Sequence, residues 1–403
     1  MNNLSTKPNA VADLLTFGFE AILRNSDAES ISDWKPSFKG IGKITTPATK
    51  LSARYMQITL PFKSETGEPA GFARVDLHVY VKGSDLVFTN RCAIHLNGMT
   101  IMRGILGHEI CGGASLDGKL NVLGNQHHPR DLVDAQLDAI GVAISNVLEA
   151  LEVAFGPGFE PTKLWLKAGE ACRDAPTINA ISDVRVLQHS TIAGTMMRHW
   201  ATYARTSLEE AGGVSTLRFV SQRDAPEKKV YAKRLDKRRH EIACSTRKKI
   251  VKLTGETSDD FTVEAAQRLV LQFLRAASNR LDRLEDHSIE ALEGEASIID
   301  VLISLKALVL RAMGEHKSKG PRSPDAGNVA KTALDAFFSV GWFDARNLHS
   351  RVAIRKDLDS LCDPEGPLVR HESRAIYYLK PAFARACAVI QMPWADDDSI
   401  VRS

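Results

Sequence analysis

The sequence predicts an α+β fold, in which an antiparallel sheet with flanking helices is followed by a mostly helical C-terminal domain. Between residues 50 and 100, apolar and polar residues alternate in short runs separated by turn residues, which is typical of half-buried strands. From about Val263, apolar residues recur at helical spacing and strand signals become scarce. We therefore predict two domains, residues 1–254 and residues 255–403.

The composition is that of a globular protein with an ordinary core. The chain has 403 residues, of which 44% are hydrophobic and 25% charged, so a largely disordered, collagen-like or coiled-coil chain is excluded. Its six cysteines include no Cys-x-x-Cys pair, which argues against a zinc ribbon or a thioredoxin motif. The polar start of the sequence lacks a signal peptide, and no apolar run approaches the ~20 residues that span a bilayer. We expect a cytoplasmic protein without a membrane partner.

The first predicted domain mixes strands and helices, which suggests an α+β domain on one sheet. A short helix is predicted for Ala10–Leu23, and the clearest helix covers residues 131–155, where Gly156 and Pro157 end it. Ile192–Ala211 is also predicted to be helical. Strands are predicted for Arg54–Leu60, Ala73–Val81, Cys92–Leu96, Lys163–Ala168, Ile181–His189 and Ser215–Gln222, with Val230 beginning or ending another. In the second domain, helices are predicted for Ala265–Leu284, Ala296–Met313, Val329–Val340 and Ala375–Ile390.

The positive charge of the chain is concentrated in one segment. The chain as a whole carries +3, yet the 25 residues from Lys228 to Lys252 hold eleven Lys or Arg and only two acids, Asp236 and Glu241. Such a cluster repels itself unless a polyanion shares the space, and phosphate backbones are the usual polyanion. The segment therefore predicts a DNA-binding site, although a solvated helix face would show the same pattern. The residues predicted to hold DNA here are Lys228, Lys229, Arg234, Lys237, Arg238, Arg239, Lys248 and Lys249.

Tyr231 lies at the head of this basic segment, with Lys233 and Arg234 two and three residues later. A phenol is a poor nucleophile at its usual pKa of ~10, and nearby cations favour the reactive phenolate. A tyrosine in these surroundings is suited to attack a phosphodiester and to store the broken bond as a phosphotyrosine. The alternative is that Tyr231 is an ordinary amphipathic residue of the surface or the core.

Four features between residues 93 and 241 occur in an order that resembles the replication initiators of filamentous phages, the gene II/X type of rolling-circle nickase. The first is a strand leading to Leu106-Gly107-His108 and Gly112, with glutamate at 109 where the family has asparagine. A long helix follows. Ile181–Arg185 then takes the place of a family strand, with its acid and its arginine in exchanged positions. The last feature, Tyr231-Ala232-Lys233, matches the family's Tyr-x-Lys core.

The resemblance implies a rolling-circle nuclease-like sheet with Tyr231 as the nicking tyrosine and Lys233 stabilising charge on the phosphate or the phenolate. It also implies one divalent cation, Mg²⁺ or Mn²⁺, held by histidines and an acid. The most workable histidine pair is His108 and His189, which come from different predicted strands. Arg185, at the position of the family's acid, is predicted to contact DNA through its guanidinium.

These features together predict a site-specific single-strand DNA endonuclease and strand-transferase that initiates rolling-circle replication in a bacterial or phage-host cytoplasm. Origin DNA, as single strand and duplex, is the expected partner, and the C-terminal helices could also serve a host replication protein. The alternative is a non-catalytic DNA-binding protein on the same scaffold, and a third interpretation is an unrelated α+β enzyme. The phosphate-loop pattern GxxxxGK[ST] is absent, which argues against ATP-driven chemistry.

Overall fold

A computed structural model describes residues 7–24, 43–44, 48–50, 53–63, 69–106, 114–116, 122–124, 127–188, 204–211, 214–221, 224–293, 298–314, 324–346, 352–363, 366–370 and 375–387. The chain divides into two compact units. The first comprises Met1–Pro176, Asp224–Lys229 and Arg239–Leu281, and the second comprises Thr177–Arg223, Val230–Arg238 and Asp282–Ser403. The boundary predicted at residue 254 therefore falls inside the first unit.

The first unit contains the antiparallel sheet with flanking helices that the sequence predicts. Its first eight strands are β1 (Val11–Leu23), β2 (Lys43–Ile44), β3 (Ala48–Lys50), β4 (Ala53–Lys63), β5 (Pro69–Lys82), β6 (Asp85–Phe88), β7 (Ala93–Asn97) and β8 (Phe159–Pro176). The helices α1 (Gly98–Leu106) and α2 (Pro129–Phe155) come between β7 and β8. In the order β2-β4-β5-β6-β1-β8, each strand is hydrogen-bonded to the next, while β7 pairs with β1 and β5.

The strand β1 replaces the helix that the sequence predicted for Ala10–Leu23. Pairing with β6 and β7 on one edge and with β8 on the other holds this segment as a strand. From Leu15 to Leu23 alternate residues are buried, and Thr16 and Glu20 between them are only half-buried. Gly18 reflects this central position. A Cβ atom at Gly18 would lie 2.3 Å from the indole ring of Trp165, its partner on β8.

The helix α2 confirms the helix predicted at residues 131–155. It begins after His128, whose side chain accepts a hydrogen bond from the Arg130 backbone N–H, and it ends at Gly156, whose φ is 85°. That φ lies in the left-handed region that favours glycine. Both helices pack on the sheet, α1 against β1 and β5 and α2 against β1, β4 and β8. The strands predicted between residues 54 and 96 and at residues 163–168 are confirmed within β4, β5, β7 and β8.

After β8 the chain continues through elements of both units. These are α3 (Ala180–Gln188), β9 (Ala204–Ala211), β10 (Val214–Ser221), β11 (Glu227–Arg234), β12 (Lys237–Cys244), α4 (Arg247–Thr254) and α5 (Val263–Leu292). The strand predicted at Ile181–His189 is wrong, because residues 180–188 form α3. The helix predicted at Ile192–Ala211 is also wrong over its described part, since pairing with β10 holds Ala204–Ala211 as a strand. The strand predicted at Ser215–Gln222 is confirmed as β10.

The rest of the second unit is mostly helical, as predicted. Its helices are α6 (Ile298–Ser304), α7 (Lys306–Ala312), α8 (Pro324–Val340), α9 (Val352–Ser360) and α10 (Ala384–Cys387), and its short strands are β13 (Trp342–Asp344), β14 (Leu368–Arg370) and β15 (Ile376–Leu379). The helix predicted at Ala375–Ile390 is wrong over its first part, because Ile376–Leu379 form β15 and Pro381 starts a 3₁₀ turn. It is confirmed only over Ala384–Cys387, and residues 388–390 lie outside the described residues. None of the helices in the described part of the chain has the length and apolar character that crossing a membrane requires.

Candidate functional site

The predicted nucleophile Tyr231 lies on β11 in the second unit, where its side chain is half-buried. The ammonium nitrogen of Lys233 lies 5.8 Å from the centroid of the Tyr231 ring. Alternate residues of a strand face the same side, which brings these two side chains together. Lys233 is only 4% exposed, so its charge is less screened by water than that of a surface lysine. The pair therefore provides a cation beside a phenol, as the sequence predicts.

The histidines predicted to hold the metal, His108 and His189, both lie outside the described residues. Their pairing at one ion therefore stays a prediction. Another histidine that precedes Tyr231 in the sequence, His128, caps the N-terminus of α2 and so stabilises that helix.

Arg239 on β12 is fully buried and is bound by two acids of the first unit. Its Nε and Nη2 donate to the two carboxylate oxygens of Asp174 at 2.5 and 2.8 Å, and its Nη1 donates to Asp13 at 3.2 Å. The side chain of Asp174 is 1% exposed. A buried bidentate pair of this kind is costly to break, because the remaining charge has no water around it. Arg239 thus holds β12 to β1 and β8.

Arg238 and Arg234, in the second unit, are also paired with acids. Arg238 Nη1 donates to Asp183 at 2.5 Å, and the Thr177 hydroxyl donates to the same carboxylate at 2.6 Å. Arg234 donates through Nε and Nη2 to Asp236 at 2.5 and 2.6 Å, and these hydrogen bonds lower the pKa of Asp236. Asp183, which the sequence placed on a strand, therefore serves as an ion-pair partner on α3.

The other residues predicted to bind DNA differ in exposure. Lys228 and Lys237 are each only 4% exposed, whereas Arg185 on α3 and Lys248 on α4 are exposed. Lys249 is half-buried, and its ammonium donates to the Ser245 hydroxyl at 3.2 Å. The most exposed cations of the basic segment thus lie on α4 rather than on the two strands β11 and β12.

Three acidic side chains of the first unit converge where β1, β8 and β12 run side by side. Asp13, Glu170 and Glu241 each place a carboxylate oxygen within 4.8 Å of the other two, and the group could hold a metal ion. Asp13 lies at an irregularity of β1, because the pairing with β8 shifts register between Ala12 and Leu14. Such bulges redirect a side chain from its regular position. Carboxylate oxygens are ligands that Mg²⁺ and Mn²⁺ prefer.

Lys229 on β11 contacts two of these three acids. Its ammonium lies 2.6 Å from Glu241 and 3.2 Å from Glu170. Burial acts to lower the pKa of Lys229, but the two carboxylates together outweigh burial and raise it. Burial raises the pKa of Glu170, and repulsion from Glu241 and Asp13 raises it further, against the opposite effect of Lys229. The raised pKa of Glu170 therefore comes first from its burial, with the two neighbouring acids adding to it.

The acidic triad, Asp13, Glu170 and Glu241, fits a divalent cation on this electrostatic ground. A doubly charged ion would offset the negative charge that Lys229 and Arg239, the second cation paired with this group, leave on the acids, and the Lys229 ammonium would have to move aside. The side chains of Lys229 and Glu170 are 18% and 26% exposed, so the ammonium has a path towards solvent.

These three acids were not predicted from the sequence, where the metal ligands were expected to be histidines. A signal does exist, since Asp13 and Glu170 each lie among apolar or small residues, in VADLL and AGEAC, and Glu241 directly precedes the apolar IAC. An isolated carboxylate at a strand position that should be apolar requires a partner, either a cation of the protein or a bound ion. Their spacing of 157 and 71 residues along the chain hides the convergence, which depends on the sheet.

Comparisons with known proteins do not assign the chain to a family. No protein-family description matches the sequence, and no curated protein matches it. Among solved structures, the di-domain ARO/CYC BexL from the BE-7585A biosynthetic pathway aligns over 59% of this chain and 75% of its own, with 12% identity and a TM-score of 0.17. A similarity of that size carries no argument about fold or function.

Proposed function

We propose that this protein is a metal-dependent DNA nickase and strand-transferase that cuts one strand at an origin to initiate rolling-circle replication. The observation that carries the proposal is the triad of Asp13, Glu170 and Glu241, whose carboxylate oxygens lie within 4.8 Å of one another. A divalent ion held by such a group, Mg²⁺ or Mn²⁺, would polarise a phosphate and stabilise the negative charge that develops when a nucleophile attacks that phosphate. The acids take the role that the sequence analysis gave to His108 and His189.

Tyr231 is the nucleophile of the proposed reaction. Its phenol gives up a proton, its oxygen forms a bond to phosphorus, and the bond to the 3′ oxygen breaks as that oxygen takes up a proton. Lys233, beside the ring, favours the phenolate. Attack by a 3′-hydroxyl on the phosphotyrosine reverses the step and transfers the strand.

Trapping of a covalent adduct tests this function. The protein is incubated with Mn²⁺ and a random-sequence pool of single-stranded DNA labelled at the 3′ end, and the products are separated on a denaturing gel. We expect labelled protein from the parent, none from Tyr231→Phe, and a strong reduction from Glu170→Gln. The control Tyr80→Phe, which changes a tyrosine of β5, should keep the adduct. Adduct formation by Tyr231→Phe at the parental level would disprove the proposed nucleophile.

A non-catalytic DNA-binding protein is the second candidate function. The observation that favours it is Lys229, whose ammonium already lies between Glu170 and Glu241 and partly neutralises them. This alternative predicts DNA binding that is the same in Mn²⁺ and in EDTA. It also predicts no adduct with the single-stranded pool, and no nicking of supercoiled DNA that carries the native origin.

A further inference from the structure

The helix α4 carries four cations and no acid within eight residues, RKKIVKLT. It begins after Thr246, whose side chain accepts a hydrogen bond from the Lys249 backbone N–H. Among its cations, Arg247, Lys248 and Lys252 are exposed. These three side chains are the most concentrated exposed positive charge in the basic segment, and all of α4 belongs to the first unit.

A shallow pocket of about 490 Å³ lies beside these cations. Its lining consists of Arg247, Lys248 and Lys252 together with Val251 and Asp224. Residues three and four apart lie on the same face of a helix, which brings Lys248, Val251 and Lys252 to one side. Three cations and one carboxylate thus surround a space whose volume is in the ~300–1,000 Å³ range of small-ligand sites.

The cations of this pocket differ in how they are held. The Arg247 guanidinium lies over the Trp165 ring, 4.8 Å from its centroid, and donates to the Thr257 carbonyl at 2.7 Å. These contacts fix its orientation before any ligand arrives. Lys248 and Lys252 have no hydrogen-bond or ion-pair partner among the residues that the structure describes. Their ammonium groups are therefore available to an anion that enters the pocket.

We infer that this pocket is a binding site for a backbone phosphate of single-stranded DNA. The inference rests on the proposed function for the identity of the polyanion. A guanidinium held in one orientation matches phosphate oxygens in geometry, and two mobile ammonium groups add charge without demanding a fixed angle. Val251 adds an apolar contact suited to the adjoining sugar. On this inference, the residues of the basic segment that contact DNA lie on one face of α4.

Salt-dependent binding tests the pocket without any cleavage. Fluorescence anisotropy of a short, mixed-sequence single strand is measured in EDTA between about 50 and 200 mM salt. For Lys248→Gln/Lys252→Gln we expect the affinity to fall about tenfold. The slope of log K against log salt, which is negative, should become shallower by about 1.4, because each phosphate contact on a single strand contributes about 0.7. The control Lys163→Gln/Lys306→Gln removes the same charge from exposed positions elsewhere and should keep the parental slope.

Three results would overturn the inference. One is unchanged affinity and slope in Lys248→Gln/Lys252→Gln, and another is an equal loss in the control variant. The third is competition by inorganic phosphate that is as effective as competition by unlabelled oligonucleotide, because the pocket would then be a general anion site. Binding that depends on α4, in a protein that forms no adduct, would support the pocket and disprove the nickase. The phosphate-binding pocket and the nickase activity can therefore be disproved independently of each other.

Discussion

The strands β11 and β12 and the helix α4 divide one basic segment between them, and they place its charge in opposite surroundings. On the strands, Lys229, Arg238 and Arg239 are largely buried and bound to acids. On α4, Lys248 and Lys252 are exposed and have no acidic partner among the described residues. A count of charges along the sequence does not distinguish the cations of the two strands from those of α4. The burial of each cation, rather than the density of cations along the sequence, therefore decides which of them are available to a polyanion.

Several of the acids that bind the strand cations come from distant parts of the sequence. Asp174 and Asp13 are 65 and 226 residues away from Arg239, and Glu170 is 59 residues away from Lys229. Pairing of β8 with β1 and with β12 brings these residues together. A window of 25 residues contains only Asp236 and Glu241 and therefore overstates the free charge. No distant acid neutralises α4 in this way within the described residues.

The largest expected effect is the loss of stability when Arg239 is replaced. Arg239→Met leaves the buried carboxylate of Asp174 without its guanidinium, and breaking a buried pair in this way costs about 3–5 kcal/mol. The free energy of unfolding from urea titration measures the loss. If Arg239 were instead a DNA-contacting residue, the free protein would keep nearly all its stability and only DNA binding would fall.

The exposed pair of Arg24 and Glu160 provides a matched control for this substitution. Their side chains are 54% and 50% exposed, so Arg24→Met should change the free energy of unfolding very little. The double variant Arg239→Met/Asp174→Asn should recover part of the loss, because it removes the uncompensated charge as well. Equal losses for Arg24→Met and Arg239→Met would contradict the contrast between buried and exposed cations.

Local patterns in the sequence predicted much of the fold. The alternation in β4 and β5 and the helical periodicity of α2 and α5 each arise from one buried face, which a short window shows. The strand β1 was predicted as a helix although alternate residues from Leu15 to Leu23 are buried, because the apolar residues Val11, Ala12 and Leu14 just before them blur that period. Ala204–Ala211 escaped because its pairing with β10, rather than its own composition, makes it a strand.

The candidate site was harder to predict from the sequence than the fold was. Tyr231 and Lys233 were found because they are two residues apart, and one strand suffices to bring them together. Asp13, Glu170 and Glu241 were missed because only the sheet makes them neighbours. Residues of one site that lie on different strands share no local pattern, so a candidate nucleophile beside a cation is easier to predict from the sequence than a candidate metal-binding group.

Glu170 gives a smaller, pH-dependent effect within the acidic triad. Its pKa is raised in the folded protein by burial and by Glu241, so the folded state holds this proton more tightly than the unfolded state. Stability should therefore fall as the pH rises from the unfolded value of 4.5 through the raised pKa, and stay level above it. The slope is at most about 1.4 kcal/mol per pH unit for one proton. Urea titrations of the parent and Glu170→Gln across this range should differ by that contribution.

Added Mn²⁺ sharpens the test of the triad. A divalent ion competes with the Glu170 proton, so the gain in melting temperature on adding Mn²⁺ should be larger above the raised pKa than below it. Glu170→Gln should show a smaller gain than the parent above the raised pKa and a similar gain below it, where Glu170 of the parent is protonated. A gain that is independent of pH and equal in both proteins would show that Mn²⁺ binds elsewhere.

The smallest expected effect on stability is at α4, which completes the comparison with the strands. Lys248→Gln/Lys252→Gln should change the free energy of unfolding by no more than about 0.5 kcal/mol, because both side chains are exposed and no described acid loses a partner. Lys248 lies in the first turn of the helix, where a positive charge is unfavourable, and Lys252 lies in the last turn, where it is favourable, so the two effects on the helix dipole oppose each other. Urea titrations in EDTA, beside Arg239→Met under the same conditions, measure both values. A loss above about 1 kcal/mol would contradict the division, since it would mean that the α4 cations, like those of β12, hold the fold together.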